Sequence, residues 1–84
     1  MKTLRSPQHI ALIEELRRVR QQAGLTQTVL AGKLGVAQSY VAKVEGAERR
    51  LDVVEFISWL DAANAFEDRA AVLERVRAAQ MADS

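Results

Sequence analysis

The chain has 84 residues, of which 49% are apolar and 27% are charged, with one Pro, four Gly and no Cys. This size allows one small domain around a single core, and the lack of Cys excludes disulfides, thiolate metal sites and cysteine nucleophiles. Apolar runs are far shorter than the ~20 residues that span a bilayer, and no signal-like segment stands at the start. We therefore expect a soluble, cytoplasmic, all-α protein with no membrane partner.

The net charge of +1 is unevenly distributed along the chain. Residues 1–50 hold nine Lys or Arg against four Glu, a balance of +5, whereas residues 51–84 hold three Arg against seven acids, a balance of −4. Such a partition is expected if one face of the domain meets phosphates and the other does not. The alternative is that the two halves of any chain differ by a few charges.

A first helix is predicted from Pro7 to about Ala23. Residues 1–5 have no periodicity and should form a flexible tail. Ser6 can cap the helix, and a proline is favourable at the first helical position because its missing N–H costs nothing there. The residues expected on the buried stripe of this helix are Leu12, Ile13, Leu16, Val19 and Ala23.

Arg20 lies inside this apolar stripe. A charge there needs a partner, because an unpaired charge in the interior is strongly destabilising. The candidate partner is Glu45, and we predict that the two residues form a structural ion pair.

The central stretch, residues 26–45, has the pattern of two short helices joined by a turn. Thr26 can cap the first helix after a left-handed stop at Gly24, and Gly35 ends it. In the second helix, one side carries Ala37, Val41 and Val44, and the other carries Gln38, Ser39, Ala42 and Lys43. This arrangement is typical of a helix-turn-helix, which lays its second helix in the DNA major groove. We predict sequence-specific binding to double-stranded DNA.

The loop after the second helix carries Arg49 and Arg50, which we expect either to contact phosphates or to be simply solvated. Asp52 then caps a fourth helix that ends near Asn64, a plausible left-handed stop. Trp59 lies at the edge of its apolar stripe and is expected in the core rather than at a ligand. The residues expected on the stripe itself are Val53, Phe56, Ile57 and Leu60.

A last helix is predicted from Phe66 or Glu67 to Gln80, followed by a frayed end at residues 81–84. Its apolar set is Ala70, Val72, Leu73, Val76 and Ala79, with Val72 and Ala79 expected to one side of the core-facing residues. One small core cannot readily cover all of them, so we predict a homodimer contact through Val72, Leu73, Val76 and Ala79. The alternative is a monomer with ordinary exposed apolar residues. Residues 6–80 thus form one five-helix domain.

The stretch from Leu12 to Asn64 resembles the Xre family of helix-turn-helix regulators, which includes the phage lambda and 434 repressors and the Cro proteins. The matching motifs are Leu16-Arg17, Gly24-Leu25-Thr26-Gln27, Leu30-Ala31, Leu34-Gly35-Val36, Gln38-Ser39, Val41 to Glu45 and Arg49-Arg50-Leu51-Asp52. The resemblance implies a five-helix, lambda-repressor-like DNA-binding domain. It also implies a dimer that binds a palindromic operator and regulates transcription.

Carried over by position, the resemblance assigns roles to individual residues. Gln27 matches a residue that contacts the DNA backbone and braces the recognition helix, and the adjacent Thr28 is also predicted to bind DNA. Tyr40 matches a position near the phosphates, or else its ring packs on the domain surface. The residues that match the base-reading positions are Gln38, Ser39 and Lys43, and the family also has a structural ion pair at the positions of Arg20 and Glu45.

No feature of the sequence favours an enzyme. The single His, His9, falls in the first helical turn, where we expect a solvated surface residue without the companions that a metal site requires. The glycines form no phosphate-binding loop, and no cofactor or small-molecule ligand is indicated. Two alternatives to a repressor remain, an antitoxin-type interaction module that also binds its own promoter and a restriction-modification controller protein.

Overall fold

The computed structural model describes residues 6–82, with side chains as far as Ala79. Within this part of the chain the order is α1 (Pro7–Gln22), α2 (Gln27–Leu34), α3 (Gln38–Glu45), α4 (Val53–Ala62), a 3-10 turn (Phe66–Asp68) and α5 (Arg69–Ala82). The predicted all-α, five-helix fold is confirmed. The predicted tail at residues 1–5 and the last two residues lie outside the described part.

Side-chain caps and left-handed residues set the helix boundaries where the sequence predicted them. The Ser6 hydroxyl accepts a hydrogen bond from the backbone N–H of His9 at 3.2 Å, and the Thr26 hydroxyl caps α2 in the same way. Gly24 and Asn64 have φ of 74° and 55°, so each turns the chain out of its helix. These stops keep the connections short and bring the helices against one another.

The start of the last helix differs from the prediction, which placed it at Phe66 or Glu67. Residues Phe66–Asp68 form a 3-10 turn, because the Asp68 N–H donates to the Ala65 carbonyl three residues back. The Arg69 guanidinium lies over the Phe66 ring, 4.4 Å from its centre, and donates to the Phe66 carbonyl. α5 continues to Ala82, two residues beyond the predicted end.

Trp59 is the centre of the hydrophobic core. It is fully buried, as predicted, and its indole Nε1 donates to the backbone carbonyl of Leu16 at 3.1 Å. A buried indole N–H requires an acceptor, and because this acceptor belongs to α1, the bond joins α4 to α1. The other buried members of the cluster are Leu16, Val19, Leu30, Ala31, Val41, Val44, Leu60, Ala63, Ala65 and Val72.

The buried face of α4 is rotated from the one predicted. Val53 and Ile57 were expected in the core but are 72% and 39% exposed, whereas Leu60 is buried and Phe56 is half-buried. Burying Trp59 on its Leu16 acceptor turns Val53 and Ile57 outward. In α1, the residues predicted on the buried stripe are buried or half-buried, except Ala23 at its end, which is exposed.

The buried face of α5 also differs from the prediction. Val72, predicted at a dimer contact, is completely buried inside this domain and cannot meet a partner, whereas Leu73 is 53% exposed. Val76 and Ala79 are half-buried, and Ala70 is exposed. The prediction for Val72 was wrong because helical periodicity gives the width of an apolar stripe but not which edge of it the core covers.

A buried carboxylate ties α5 to α1. Glu15 accepts hydrogen bonds from Arg18 at 2.7 Å and from Arg75 of α5 at 2.9 Å. Burial alone would raise the pKa of Glu15, but the two arginines together outweigh it and hold the pKa below its usual value. No pattern in the sequence indicated this cluster.

His9 was predicted to be solvated and is instead buried, with 9% of its surface exposed. It lines a surface cleft together with Arg50 and Val76, so elements distant in sequence cover the first turn of α1. Burial, and to a smaller extent the charge of Arg50, lowers the pKa of His9. Within the described residues its Nε2 atom has no hydrogen-bond partner.

None of the helices in residues 6–82 is both long enough and apolar enough to cross a membrane.

Candidate nucleic-acid interface

The turn between α2 and α3 brings the inner faces of both helices onto the core. Gly35 adopts φ of 72°, and the N–H of Val36 donates to the Ala31 carbonyl at 3.0 Å, which ends α2 with a left-handed turn. On the α3 side, Val41 and Val44 are fully buried. The opposite face of α3 must therefore point to solvent.

That outer face is polar. Gln38, Ser39 and Lys43 are exposed, and Ala42 is half-buried between them. Ala37, predicted on the inner side, is exposed because it lies just before the helix as an N-cap residue with extended backbone. α3 thus presents the predicted base-reading residues on a continuous surface of one short helix.

The end of α3 is held by the carboxylate of Glu45, whose side chain is 1% exposed. Arg20 donates to it twice, from Nε to Oε2 at 2.7 Å and from Nη2 to Oε1 at 3.1 Å, and also donates to the Leu25 carbonyl. Arg17 donates to the backbone carbonyl of Glu45 at 3.0 Å. α1 therefore fixes the last turn of α3 with charge-assisted hydrogen bonds.

The same carboxylate orients two glutamine side chains in series. Gln27 donates from Nε2 to Oε1 of Glu45 at 3.0 Å, and an ionised carboxylate can only accept. The oxygen of Gln27 is therefore directed at Gln38, whose Nε2 donates to it at 2.8 Å. Among the described residues, no hydrogen bond is made to the Oε1 of Gln38 or by its second N–H, and both lie at the exposed surface. These are the acceptor and the donor that a glutamine uses to pair with adenine.

The loop between α3 and α4 holds a second cluster, around Tyr40. The guanidinium of Arg49 lies over the Tyr40 ring, 4.5 Å from its centre, and Nη2 of Arg49 contacts Oε2 of Glu55 at 3.2 Å. Burial, followed by the charge of Glu55, raises the pKa of the Tyr40 hydroxyl. Two interpretations of Tyr40 followed from the sequence, a position near a phosphate or a ring packed on the surface. This half-buried position is compatible with both.

Glu55 also completes the cap of α4. It accepts from the Asp52 N–H at 2.8 Å, while the Asp52 side chain accepts from the Glu55 N–H at 2.7 Å. The Arg49 guanidinium and this backbone bond together lower the pKa of Glu55. Glu55 was not predicted as part of this cap, although an Asp followed three residues later by Glu is the sequence signal for it.

Arg50 and Thr28, the remaining predicted DNA-binding residues, are exposed. Arg50 makes no ion pair within residues 6–79, whereas Arg49 makes one. The structure therefore brings together Gln27, Gln38 and Glu45 in one network and places Arg49 in another. Among the described residues, no group of three or more His, Cys, Asp or Glu is arranged to hold a metal ion.

The fold and this exposed helix define the class of the protein, a helix-turn-helix DNA-binding domain. The family described as a helix-turn-helix domain matches residues 11–76. A solved structure, an XRE-family like protein from Pseudomonas syringae pv. tomato str. DC3000, is 42% identical, with a TM-score of 0.75 and coverage of 84% of each chain. No curated protein matches the sequence.

The chain belongs to the Xre family of helix-turn-helix regulators, as its motifs indicated. Its function is that of a DNA-binding transcriptional regulator, and regulators of this type are generally not enzymes.

Proposed function

We propose that this protein is a dimeric repressor or autoregulator that reads a palindromic operator through α3. The observation that carries the proposal is the division of α3 into two faces. Its inner face and its last residue, Glu45, are buried and bonded, whereas its outer face is exposed and polar. A reading helix held this firmly loses little conformational entropy when it binds.

The free groups of the outer face suit particular bases. Gln38 offers one donor and one acceptor, which fits adenine, and Lys43 offers donors to the O6 and N7 acceptors of guanine. Ser39 lies between them and can pair with several bases. We assign Gln27, Thr28 and Arg50 to the phosphates, where contacts fix the register of the helix.

A symmetric operator requires two copies of α3 about 34 Å apart, and an apolar cleft offers a contact between two copies. The cleft has a volume of about 200 Å³, and Leu73 and Val53, the large apolar residues most exposed along it, are 53% and 72% exposed. A second copy would bury both. This proposal retains Leu73 and Val76 from the predicted interface, because both line the cleft, and excludes the buried Val72. The half-buried Ala79 does not line the cleft.

Selection of bound duplexes from random DNA tests the proposal. We expect an enriched palindrome with half-sites about one helical turn apart, and an affinity that falls steeply with salt. Gln38→Ala and Lys43→Ala should each cost ~1–3 kcal/mol on the selected sequence and relax the preference at particular base pairs.

Lys33→Ala is the matched control, because it removes the same charge from an exposed position of α2 outside the proposed contacts. It should leave the base preference unchanged. Recovery of duplexes with no common sequence would refute the proposal that α3 reads an operator.

A further inference from the structure

We infer that Glu55 withholds Arg49 from the DNA backbone and thereby limits the affinity of this protein for any DNA sequence. The inference rests on the proposed function, since it concerns the same surface. Arg49 and Arg50 are adjacent and both exposed, so the sequence alone predicts a phosphate contact equally for each. Their surroundings in the structure are different.

Three polar contacts and one aromatic contact occupy the Arg49 guanidinium. Its Nη1 donates to the Arg50 carbonyl at 2.7 Å and approaches Oε1 of Glu55 at 3.4 Å, and its Nη2 donates to Oε2 of Glu55 at 3.2 Å. One face of the guanidinium lies on the Tyr40 ring. A DNA phosphate would have to displace the Glu55 carboxylate, which already contacts both Nη1 and Nη2 of Arg49.

The charge of the whole loop supports the same conclusion. From Glu48 to Glu55 the chain carries two arginines and three acids, so the segment has a net charge of −1 despite its adjacent arginines. Counterion release depends on cationic groups that can neutralise phosphates. Arg50 is available for this, whereas the charge of Arg49 is already offset by Glu55.

Glu55→Gln isolates this effect from the fold. Glutamine can serve at the third position of a capping box, so the cap on α4 is retained while the carboxylate charge is removed. The freed Arg49 should then neutralise about one more phosphate. The slope of log K against log salt should steepen by ~0.9, which corresponds to roughly fifteenfold tighter binding at ~50 mM salt and roughly fourfold at ~200 mM.

The gain in affinity should be the same for the selected operator and for an unrelated duplex, because a phosphate contact carries no sequence information. It should disappear in the double variant Arg49→Ala/Glu55→Gln. Arg49→Ala alone should lower the salt slope by much less than the ~0.9 expected for a phosphate-bound arginine. The measurement is a fluorescence anisotropy titration at several salt concentrations, with circular dichroism to verify that each variant is folded.

Glu48→Gln provides the charge control. Glu48 is exposed on the same loop and makes no ion pair within residues 6–79, so its replacement removes a negative charge without freeing an arginine. A gain equal to that of Glu55→Gln would show that only net charge matters and would overturn the inference.

The inference also fails if Glu55→Gln binds no tighter than the wild type, or binds more weakly. Weaker binding would mean that Glu55 positions Arg49 for a phosphate. Both results leave the proposed function intact, provided that the wild type selects an operator. A wild-type protein that binds no duplex at all would refute the proposed function, and this inference with it.

Discussion

Replacing Glu45 with alanine should destabilise the whole domain before it affects any base contact. The side chain is 1% exposed and accepts from Arg20 and Gln27 within 3.1 Å. Arg20 is itself 11% exposed, so the variant would leave its charge buried without a carboxylate partner. Breaking a buried ion pair from one side costs ~3–5 kcal/mol.

The contribution of Arg17 to this cost is small. Its Nε lies 3.6 Å from the Glu45 carboxylate, but its side chain is 48% exposed, so water screens the interaction. Its stronger contact is with the backbone carbonyl of Glu45, which the substitution leaves in place. We therefore take the buried contacts alone, and the estimate stays at ~3–5 kcal/mol.

A domain of this size has a total stability on the order of 4–13 kcal/mol, so the loss is a large fraction of it. At about 4–8 °C for each kcal/mol, the melting temperature should fall by at least ~12 °C. Thermal unfolding followed by circular dichroism at 222 nm in about 150 mM salt measures the change. Glu48→Ala, at an exposed position on the loop that follows, should stay within about 0.5 kcal/mol of the wild type.

A Glu45→Ala variant with wild-type stability would refute this reasoning. If the same variant had lost operator binding, Glu45 would belong to the DNA contact rather than to the structural network.

Three further predictions concern the core, the pH dependence and the dimer. Trp59→Phe removes the donor to the Leu16 carbonyl and should cost ~1–3 kcal/mol in urea unfolding; an unchanged midpoint would contradict the role of this bond. Because the folded protein lowers the pKa of His9, the unfolded chain binds the proton more readily. The stability linked to this residue should be complete above pH ~6.5 and should be lost as the pH falls below that value, and His9→Gln should remove this part of the slope. Leu73→Glu should halve the mass in sedimentation if the proposed cleft is the dimer contact, whereas Val54→Glu, 70% exposed elsewhere on the surface, should not.

The helices, and the ends of α1 to α4, could be predicted from the sequence because local chemistry determines them. Ser6, Thr26 and Asp52 each supply an oxygen at a helix start, and Gly24 and Asn64 adopt the left-handed conformation that few other residues accept. These effects act within about four residues. They needed no knowledge of the tertiary structure.

The orientation of α4 and α5 could not be predicted in the same way. Both helices are apolar over a wide arc, and a helical wheel does not show which edge of that arc is buried. Two long-range hydrogen bonds accompany the orientation that each helix adopts. Trp59 of α4 donates to the Leu16 carbonyl, and Arg75 of α5 donates to Glu15. His9 was misassigned for a similar reason, since a helix and a loop distant in sequence cover it.

The ion pair between Arg49 and Glu55 could not be predicted from the sequence either. A pair of arginines beside a recognition helix indicates phosphate binding only if their charges are free. Whether they are free depends on side-chain contacts across the loop, and the capping motif that fixes Glu55 gave no sign that it would also hold Arg49.

The two faces of α3 have consequences for how this protein can change over evolution. Ser39 and Lys43 make no side-chain hydrogen bond within residues 6–79, so replacing either would disturb no internal bond of the domain. Gln38 differs, because its amide is joined through Gln27 to Glu45. Ser39 and Lys43 can thus be exchanged independently to recognise a new operator, whereas a change at Gln38 also removes the hydrogen bond that it donates to Gln27.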